Sequence, residues 1–389
     1  MTKSNRETSL NTRAIHAGVE HAQGSGAVAT PIFQSSTFLT DPESTSYEDV
    51  RYIRLNNTPN HMVLHAKLAS LEGGERALVT SSGMAAISTT LMTLLSAGDH
   101  VLATDCLYGG TLAVMREELA DFGVEVTFVD GDLAGAELAK LVRPNTRALW
   151  VEPMSNPTLR VPRLDVLRDF AREHGLISVV DNTFCSPVNF QPLAFGFDLC
   201  VHSATKYLNG HSDIVAGAVI GGDGLVGKIA KRLGHLGGTL DPHAAFLLER
   251  GLKTLPLRVA QQNKNALAIA QLLEEHPRVN TVHYPGLESH PSHRSAREWF
   301  EGFGGVLSFE LDGGQEAALR FIQRLEFFFF APSLGGTESL ITLPSRTSHA
   351  TIPAEERQKL GITDGLIRIA VGIEGTSDLL TDISSALEV

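Results

Sequence analysis

Cysteine, aromatic residues and long apolar runs are all scarce in this sequence of 389 residues. Its 3 cysteines are odd in number, which argues against a disulfide framework and favours reduced thiols. No apolar run reaches the length of a membrane-spanning helix, and residues 1–8 lack the apolar core of a signal peptide. We therefore expect a cytoplasmic protein that does not enter a membrane.

Positive charge is also in short supply, because 32 Lys and Arg residues face 44 Asp and Glu residues. The net charge is -12, and the dispersed basic residues form no run long enough for a nucleic-acid footprint. Hydrophobic residues make up 43% of the chain, which is enough for the cores of a large domain and a smaller one. The expected partner is a small molecule rather than a nucleic acid.

Short apolar strands alternate with helical patterns from about residue 60 to residue 245. This βαβ alternation predicts an α/β fold with a mostly parallel sheet. Beyond it, a long helical stretch runs towards His276-Pro277, and strands and helices then alternate again. We predict three regions, with bounds at residues 1–50, 51–245 and 246–389.

Two predicted strands each run into a polar residue, and these two residues are the most informative in the chain. The strand that begins at Gly175 ends at Asp181, and the strand that ends at His202 is followed by Lys206. Ligands of open α/β sheets bind beyond the carboxyl ends of the strands, where both side chains fall. Pyridoxal phosphate needs such a pair, since the amine condenses with its aldehyde and the carboxylate keeps its ring nitrogen protonated. Either residue alone would be interpreted as structural, but together they predict this cofactor.

A third element of the sequence predicts a phosphate site. Residues 77–86 have the pattern of a strand, a small polar turn and a helix that begins near Gly83. Free backbone N–H groups and the helix dipole attract anions at such a turn, and Gly83 lets phosphate oxygens approach. Ser203 and Thr205 add two hydroxyl donors just before the lysine. Tyr108 is a candidate to stack on the ring, with core packing as an equal alternative.

Ordered motifs along nearly the whole chain resemble those of one known family, the transsulfuration enzymes of cysteine and methionine metabolism, of the cystathionine γ-synthase or γ-lyase type. These are pyridoxal phosphate enzymes with the aspartate aminotransferase fold, or fold type I. The motifs that carry the resemblance are Tyr52-Ile53-Arg54, Ser82-Gly83-Met84, Tyr108-Gly109-Gly110, Glu152-Pro153-Met154-Ser155-Asn156-Pro157, Asp181-Asn182-Thr183, His202-Ser203-Ala204-Thr205-Lys206, Ser333-Leu334-Gly335-Gly336 and Leu366-Ile367-Arg368. The resemblance implies a large, mostly parallel sheet domain that binds the cofactor and a smaller C-terminal α/β domain that binds substrate.

The resemblance also implies a role for each matching residue. The residues implied in catalysis are Lys206, Tyr108 and Asp181. Those implied in holding the cofactor are Tyr52, Arg54, Gly83, Met84, Tyr108, Asp181, Ser203, Thr205 and Lys206. Those implied in substrate binding are Asn156, Ser333, Leu334 and Arg368, with Arg368 as the clamp for the substrate carboxylate. No residue is implied as a metal ligand.

The resemblance further implies contacts between subunits. Tyr52 and Arg54 would cross a dimer interface and bind the phosphate of the neighbouring subunit, and residues 1–50 would form an arm that contacts the partner. The implied assembly is a homotetramer, a dimer of dimers with shared active sites. The loop from Asn56 to His61 departs from the family pattern by apparently one extra residue, so we expect this loop and the nearby substrate channel to differ.

Several reactions of the family stay open. Gly110 stands where methionine γ-lyases typically carry a cysteine, and Leu334 stands where bacterial cystathionine β-lyases commonly carry an aromatic residue. Both favour chemistry at the γ carbon of cystathionine or of an activated homoserine ester, in either direction. Many γ-acting enzymes have an acidic residue at the position of Pro332, which leaves recognition of the distal part of cystathionine open. The alternatives are an O-acylhomoserine sulfhydrylase, a cystathionine β-lyase and a non-catalytic regulator that keeps the fold.

Three further patterns have simpler interpretations. Residues 222–227 formally match the dinucleotide-binding fingerprint, but a loop-like segment stands where its second strand should follow. His61 and His65 are spaced to bind metal on a predicted helix, yet no third ligand is evident, so we expect surface or channel-lining residues. Residues 326–330 are interpreted as a strand buried on both faces, with an aromatic substrate wall as the less favoured alternative.

Overall fold

The computed structural model describes residues 8–19, 26–46, 49–350 and 352–388 of the chain. A seven-stranded sheet organises the larger part of it, with the order β1-β7-β6-β5-β4-β2-β3. Its strands are β1 (Arg76–Thr80), β2 (His100–Thr104), β3 (Glu125–Val129), β4 (Thr146–Val151), β5 (Ile177–Asp181), β6 (Leu199–His202) and β7 (Gly217–Gly221). β7 runs antiparallel to both of its neighbours, and the other pairs are parallel. The predicted α/β fold with a mostly parallel sheet is confirmed.

A second sheet of five strands follows in the C-terminal part, with the order β10-β11-β12-β9-β8. Its strands are β8 (Val279–His283), β9 (Val306–Leu311), β10 (Phe329–Phe330), β11 (Leu340–Thr342) and β12 (Ile367–Ala370). Only β10 and β11 pair in parallel, and the remaining pairs are antiparallel. This sheet is the smaller C-terminal α/β unit that the sequence predicts.

Helices connect the strands of both sheets. Those of the N-terminal and large-sheet parts are α1 (Leu10–His16), α2 (Pro59–Glu72), α3 (Gly83–Leu94), α4 (Gly109–Ala113), α5 (Leu119–Asp121), α6 (Gly135–Ala139), α7 (Leu164–Glu173), α8 (Ser186–Asn189), α9 (Pro192–Phe195) and α10 (Asp223–Leu236). The later ones are α11 (Pro242–Leu252), α12 (Leu255–Glu274), α13 (His293–Trp299), α14 (Gly314–Ile322), α15 (Ala354–Lys359) and α16 (Thr376–Leu387). Among the described residues, none of these helices is both long and apolar enough to cross a membrane.

The seven-stranded sheet is buried on both faces. Successive side chains of a strand point to opposite faces of the sheet, so neighbouring residues pack in different apolar clusters. Within β1, Leu78 packs in one apolar cluster and Val79 packs in the other. All five residues of β2 are buried, which explains why its three central residues, 101–103, are apolar without alternation. This double cover leaves the carboxyl ends of the parallel strands as the place where polar side chains gather.

The predicted division of the chain at residue 245 stays a prediction, and α11 (Pro242–Leu252) crosses that position. Residues 8–19 and 26–46 lie within the predicted arm. There, α1 is fastened to α2 by Lys67, whose Nζ donates hydrogen bonds to the carbonyls of Ala14 at 2.8 Å and Ile15 at 3.0 Å. Contacts of this arm with another subunit also stay a prediction.

The dinucleotide-binding fingerprint at residues 222–227 does not form its structural unit. That fingerprint needs a parallel βαβ unit. Here the preceding strand β7 is antiparallel to both β1 and β6, and the helix α10 leads into α11 rather than into a second strand. The sequence match is therefore accidental.

Two predictions about side-chain burial were wrong. Phe329 and Phe330 are 61% and 55% exposed, and they lie in β10 at the edge of the smaller sheet, where no further strand of the described residues pairs with β10. His61 is fully buried in α2 rather than at the surface or along a channel, and its ring nitrogens bond Thr58 Oγ1 at 2.7 Å and the Leu240 carbonyl at 2.8 Å. Burial lowers the pKa of His61 to about 4, which makes it a neutral structural histidine.

The three cysteines are free thiols, as predicted. Cys185 and Cys200 are buried, and Cys106 is partly buried. Burial raises the pKa of all three, that of Cys106 to about 12, so none is a thiolate near neutral pH.

Candidate active site

A cavity of about 550 Å³ lies where the two sheets meet. Its floor is formed at the carboxyl ends of β4, β5 and β6, and the N-terminus of α3 and the segment after β10 form its walls. The residues predicted from sequence that line it are Gly83, Met84, Tyr108, Asn156, Asp181, Ser203, Thr205, Lys206, Ser333, Leu334 and Arg368. The fold therefore brings together residues that are far apart in the sequence.

Lys206 follows β6 and extends its amine into this cavity. Its Nζ donates a hydrogen bond to Ser333 Oγ at 2.8 Å. Burial, and next the positive charge of Arg368, lower the pKa of Lys206 from 10.5 to about 8. Roughly a tenth of the amine is therefore uncharged at pH 7, far more than for an ordinary lysine, which suits both nucleophilic attack and proton transfer.

Asp181 ends β5 and is 7% exposed. Its Oδ1 accepts hydrogen bonds from the Thr183 backbone N–H at 3.1 Å and from Thr183 Oγ1 at 2.6 Å. Burial raises the pKa of Asp181, whereas the two Thr183 bonds and the charge of His202 lower it. Thr183 makes both of its hydrogen bonds to Oδ1, so it holds the Asp181 carboxylate through this oxygen and not through Oδ2.

The predicted phosphate site lies at the start of α3, a helix of 12 residues. Ser82 caps it, since Ser82 Oγ accepts the Ala85 N–H at 3.0 Å. A Cβ atom at Gly83 would lie 2.8 Å from Ser203 Cβ, so only glycine allows this helix end to approach Ser203 so closely. The Thr205 hydroxyl exchanges hydrogen bonds with the backbone of Ala216, at 3.1 Å and 3.0 Å, which differs from the free donor that the sequence suggests.

Arg368 on β12 is the buried cation of the cavity, with 4% exposure. Its Nη1 donates to Asn156 Oδ1 at 3.1 Å and its Nη2 donates to the Ser333 carbonyl at 2.9 Å. Within the described residues its Nε is buried and has no hydrogen-bond partner. Burial lowers the pKa of Arg368 to about 10, so it stays charged at neutral pH, and no carboxylate of the described residues forms an ion pair with it.

Tyr108 precedes α4 and is 45% exposed. Its backbone N–H donates to Glu152 Oε1 at 2.7 Å. A Cβ atom at Gly110 would lie 2.6 Å from Tyr108 Cε1 and 2.9 Å from Met84 Sδ. The lack of a side chain at Gly110 thus sets where the Tyr108 ring lies.

Tyr52 and Arg54 do not line the cavity of this chain. Both are exposed, and the Arg54 guanidinium lies 5.6 Å from the centre of the Tyr52 ring. Arg54 Nη1 also donates to the Gly234 carbonyl at 2.6 Å. Their predicted contact with the phosphate of a neighbouring subunit stays a prediction.

Sequence reasoning missed Glu152, Thr183 and Ser82 as residues of the cavity. The signal for Glu152 was present, because it follows the apolar strand β4 just as Asp181 closes β5. It also missed Glu72, which accepts hydrogen bonds from His202 Nε2 at 2.5 Å and Asn182 Nδ2 at 3.2 Å. Glu72, His202 and Cys200 are close enough to ligate a metal, but this carboxylate already ties the ends of β5 and β6 together.

The donor set of the cavity suits a phosphorylated pyridine aldehyde. It offers one amine, two buried carboxyl groups of which Asp181 is the candidate for a ring nitrogen, a capped helix N-terminus that tolerates no Cβ, and a buried guanidinium whose Nε has no partner among the described residues. These are the groups needed to bind an aldehyde, a ring nitrogen, a phosphate and an amino-acid carboxylate.

Comparison with known proteins agrees with this geometry. The family described as "Cys/Met metabolism PLP-dependent enzyme" matches residues 11–388. A cystathionine gamma-lyase of Bacillus subtilis (strain 168) is 46% identical over 378 residues, which are 97% of this chain and 98% of that protein. An L-methionine gamma-lyase of Fusobacterium nucleatum subsp. polymorphum is 42% identical over 390 residues, with 97% and 98% covered.

Solved structures show the same likeness. A crystal structure of cystathionine gamma synthase from Xanthomonas oryzae pv. oryzae, in complex with aminoacrylate and cysteine, has a TM-score of 0.94 and 39% identity. It covers 98% of this chain, and this chain covers 98% of it. The match extends over both sheets and the cavity between them. The chain belongs to the family of pyridoxal phosphate-dependent enzymes of cysteine and methionine metabolism.

Proposed function

We propose that this enzyme acts at the γ carbon of cystathionine or of an activated homoserine ester. The observation that carries the proposal is the arrangement of Lys206, Asp181 and Arg368 around one cavity, in a chain 46% identical to a cystathionine gamma-lyase. Gly110 adds weight against methionine, because it stands where methionine γ-lyases typically carry a cysteine. A Cβ there would collide with Tyr108 and Met84 as they are placed in this chain.

The family cofactor is pyridoxal phosphate, and the residues of this cavity are proposed to hold it. Lys206 would bind its aldehyde, Asp181 its ring nitrogen, and the α3 N-terminus with Gly83, Met84 and Ser203 its phosphate. Bound there, the cofactor supplies an electron sink for the negative charge left when a substrate proton departs. Tyr108 would lie over the ring.

The substrate carboxylate is proposed to bind Arg368, whose Nε lacks a partner within the described residues. Asn156 and the Ser333 carbonyl bond the two Nη atoms and fix the plane of this guanidinium, so the N–H of its Nε points in one direction. The α carbon of the substrate then lies near Lys206, because Ser333 contacts both the arginine and the lysine.

Lys206 is proposed to move the protons. The uncharged Lys206 amine would take the α-proton of the substrate, release it within the cavity and then take a β-proton, after which the substituent on the γ carbon leaves with its bonding electron pair. Its pKa of about 8 lets it accept and return a proton at neutral pH. Tyr108, exposed at the mouth of the cavity, is the candidate to protonate a leaving thiolate.

The products identify the reaction. The purified enzyme is incubated with cystathionine, and separately with an acylhomoserine plus cysteine or sulfide. γ-Elimination gives 2-oxobutyrate and cysteine, whereas pyruvate and homocysteine would show β-elimination and refute the proposal. Lys206→Ala serves as the control for reactions of free pyridoxal phosphate. Formation of cystathionine rather than its cleavage would place the enzyme among the synthases.

The assembly and the cellular location are proposals as well. We infer a homotetramer with shared active sites, because Tyr52 and Arg54 are exposed and lie outside the cavity of their own chain. A cytoplasmic location agrees with small amino-acid substrates. Light scattering on the purified holoenzyme tests the assembly, and the mass of a monomer or of a dimer would contradict the homotetramer.

A further inference from the structure

Glu152 and Asp181 are two buried carboxyl groups that line the same cavity. Glu152 follows β4 and Asp181 ends β5, and these parallel strands are neighbours in the sheet. The exposed fractions are 5% for Glu152 and 7% for Asp181. Two carboxylates in one poorly solvated site repel each other, so the pair is stable when one of them keeps a proton.

The hydrogen-bond donors around the pair differ. Asp181 accepts two bonds from Thr183, whereas Glu152 accepts one, from the Tyr108 backbone N–H at 2.7 Å. Burial and the charge of Asp181 raise the pKa of Glu152 well above its ordinary value. Burial raises the pKa of Asp181 too, but Thr183 and His202 act in the opposite direction. The proton of the pair therefore belongs on Glu152.

The charged groups around Glu152 do not change this assignment. On its far side a small cavity contains Asp105, Cys106, Asp132 and Arg160. Arg160 already pairs with Asp132 at 2.9 Å and with Asp130 at 3.2 Å, so its charge is balanced by two carboxylates.

The two cations of the main cavity, Lys206 and Arg368, are hydrogen-bonded to Ser333 and Asn156. Across the described ranges, no ion pair reaches Glu152.

We propose that Glu152 is a positioning residue: an uncharged carboxylic acid that holds the Tyr108 backbone and leaves Asp181 to provide the negative charge for the ring nitrogen of the cofactor. The Tyr108 N–H lies at the start of α4, so its bond to Glu152 sets the position from which the tyrosine ring extends over the cavity. This inference rests on the proposed function, because it takes Asp181 as the partner of the cofactor ring nitrogen and Tyr108 as the residue over the ring.

The test compares two variants of the holoenzyme. Glu152→Gln keeps a carbonyl oxygen for the Tyr108 N–H and carries no charge, whereas Glu152→Ala has no acceptor. We expect Glu152→Ala to lower kcat by about tenfold, since it leaves a buried N–H without a partner, and Glu152→Gln to recover most of that loss. The matched control is Asp132→Asn, which removes a carboxylate on the far side of Glu152 and should change kcat less than about twofold.

Two outcomes would overturn the inference. If Glu152 works as an anion, Glu152→Gln will lose as much activity as Glu152→Ala, and the pH dependence of the visible cofactor band will shift in both variants. The second outcome is read by infrared difference spectroscopy between wild type and Glu152→Gln. We expect the carbonyl stretch of a protonated carboxylic acid in the wild-type enzyme, and its absence refutes the inference. The cofactor band and the infrared signal need no turnover, so they remain decisive even if the proposed γ-reaction is wrong.

Discussion

Lys206 Nζ donates a hydrogen bond of 2.8 Å to Ser333 Oγ, which joins the two sheets across the active-site cavity. Lys206 follows β6 of the larger sheet, and Ser333 follows β10 of the smaller one. The Ser333 carbonyl also accepts a bond from Arg368 at 2.9 Å. A single residue therefore orients both the amine and the proposed carboxylate clamp.

Ser333→Ala separates these two contacts, because it removes the hydroxyl and keeps the carbonyl for Arg368. We expect kcat to fall by roughly three- to tenfold, the value of one net hydrogen bond, with KM little changed. Steady-state kinetics measure both constants. The control is Ser348→Ala, since Ser348 lines the same cavity but bonds His349. Equal losses in the two variants would show that the bond to Lys206 is not the cause.

The lowered pKa of Lys206 predicts a pH dependence of cofactor binding. Only the uncharged amine attacks an aldehyde, so incorporation of pyridoxal phosphate into the apoenzyme should accelerate with pH and level off above about pH 8. Arg368→Gln removes a like charge, so the inflection should move to higher pH. Stopped-flow absorbance follows the reaction. A wild-type inflection at about pH 10.4, the ordinary lysine value, would contradict the burial of this amine.

The same shift has a consequence for stability. The pKa of Lys206 is lower in the folded chain than in the unfolded one, so the unfolded chain binds more protons between the two values. Its contribution to stability should rise with pH through the window from about 8 to 10.5. Lys206→Met should remove this rise, as measured by urea unfolding of the apoenzyme across that window. The same slope in both proteins would refute the assignment.

Gly83→Ala should weaken cofactor binding. The added Cβ would lie 2.8 Å from Ser203 Cβ, so the start of α3 must move away from the proposed phosphate site. Overpacking of this kind costs about 1–3 kcal/mol, and we expect the dissociation constant of pyridoxal phosphate to rise roughly tenfold or more. Absorbance titration of the apoenzyme measures it. The control is Gly224→Ala in α10, where a Cβ meets no atom within 4 Å. An unchanged dissociation constant in Gly83→Ala would refute the close approach.

Shared active sites predict complementation between two inactive variants. Arg54→Ala damages the phosphate site of the partner, and Lys206→Ala damages its own site. In a random mixture half of the dimers are mixed, and each mixed dimer has one intact site, so roughly a quarter of wild-type activity should return. Co-expression followed by kinetics on the purified mixture measures this recovery. No recovery would show that Arg54 does not act across an interface.

Local pattern was sufficient for the elements that build the site. Asp181 and Gly83 were placed at a strand end and a helix start because each follows an apolar run buried on both faces. The prediction that Phe329 is buried was wrong, because local pattern does not show where a strand lies in its sheet. An apolar run has the same sequence pattern whether its strand is central or at the edge of a sheet. The strand order of the folded chain is what places β10 at the edge, where its side chains are exposed.

The burial of His61 was predicted wrongly and the role of Glu152 was missed, because the hydrogen-bond partners of both residues are distant in the sequence. The contact of His61 with the Leu240 carbonyl and that of Glu152 with the Tyr108 N–H arise only after the helices and strands have packed. Spacing along the chain carries no information about such contacts.

From the sequence alone came the α/β fold, the pyridoxal phosphate cofactor, the family and eleven of the residues that line the cavity, but not Glu152, Thr183 or Ser82. These follow from hydrophobic periodicity and from motifs whose members are close together in the chain. The tertiary structure decided which side chains are desolvated and which charges face one another. The lowered pKa of Lys206, the raised pKa of Glu152 and the unpaired edge of Arg368 all arise from that desolvation. Burial and charge proximity are properties of the packed chain, because the unfolded chain leaves each of these groups in water.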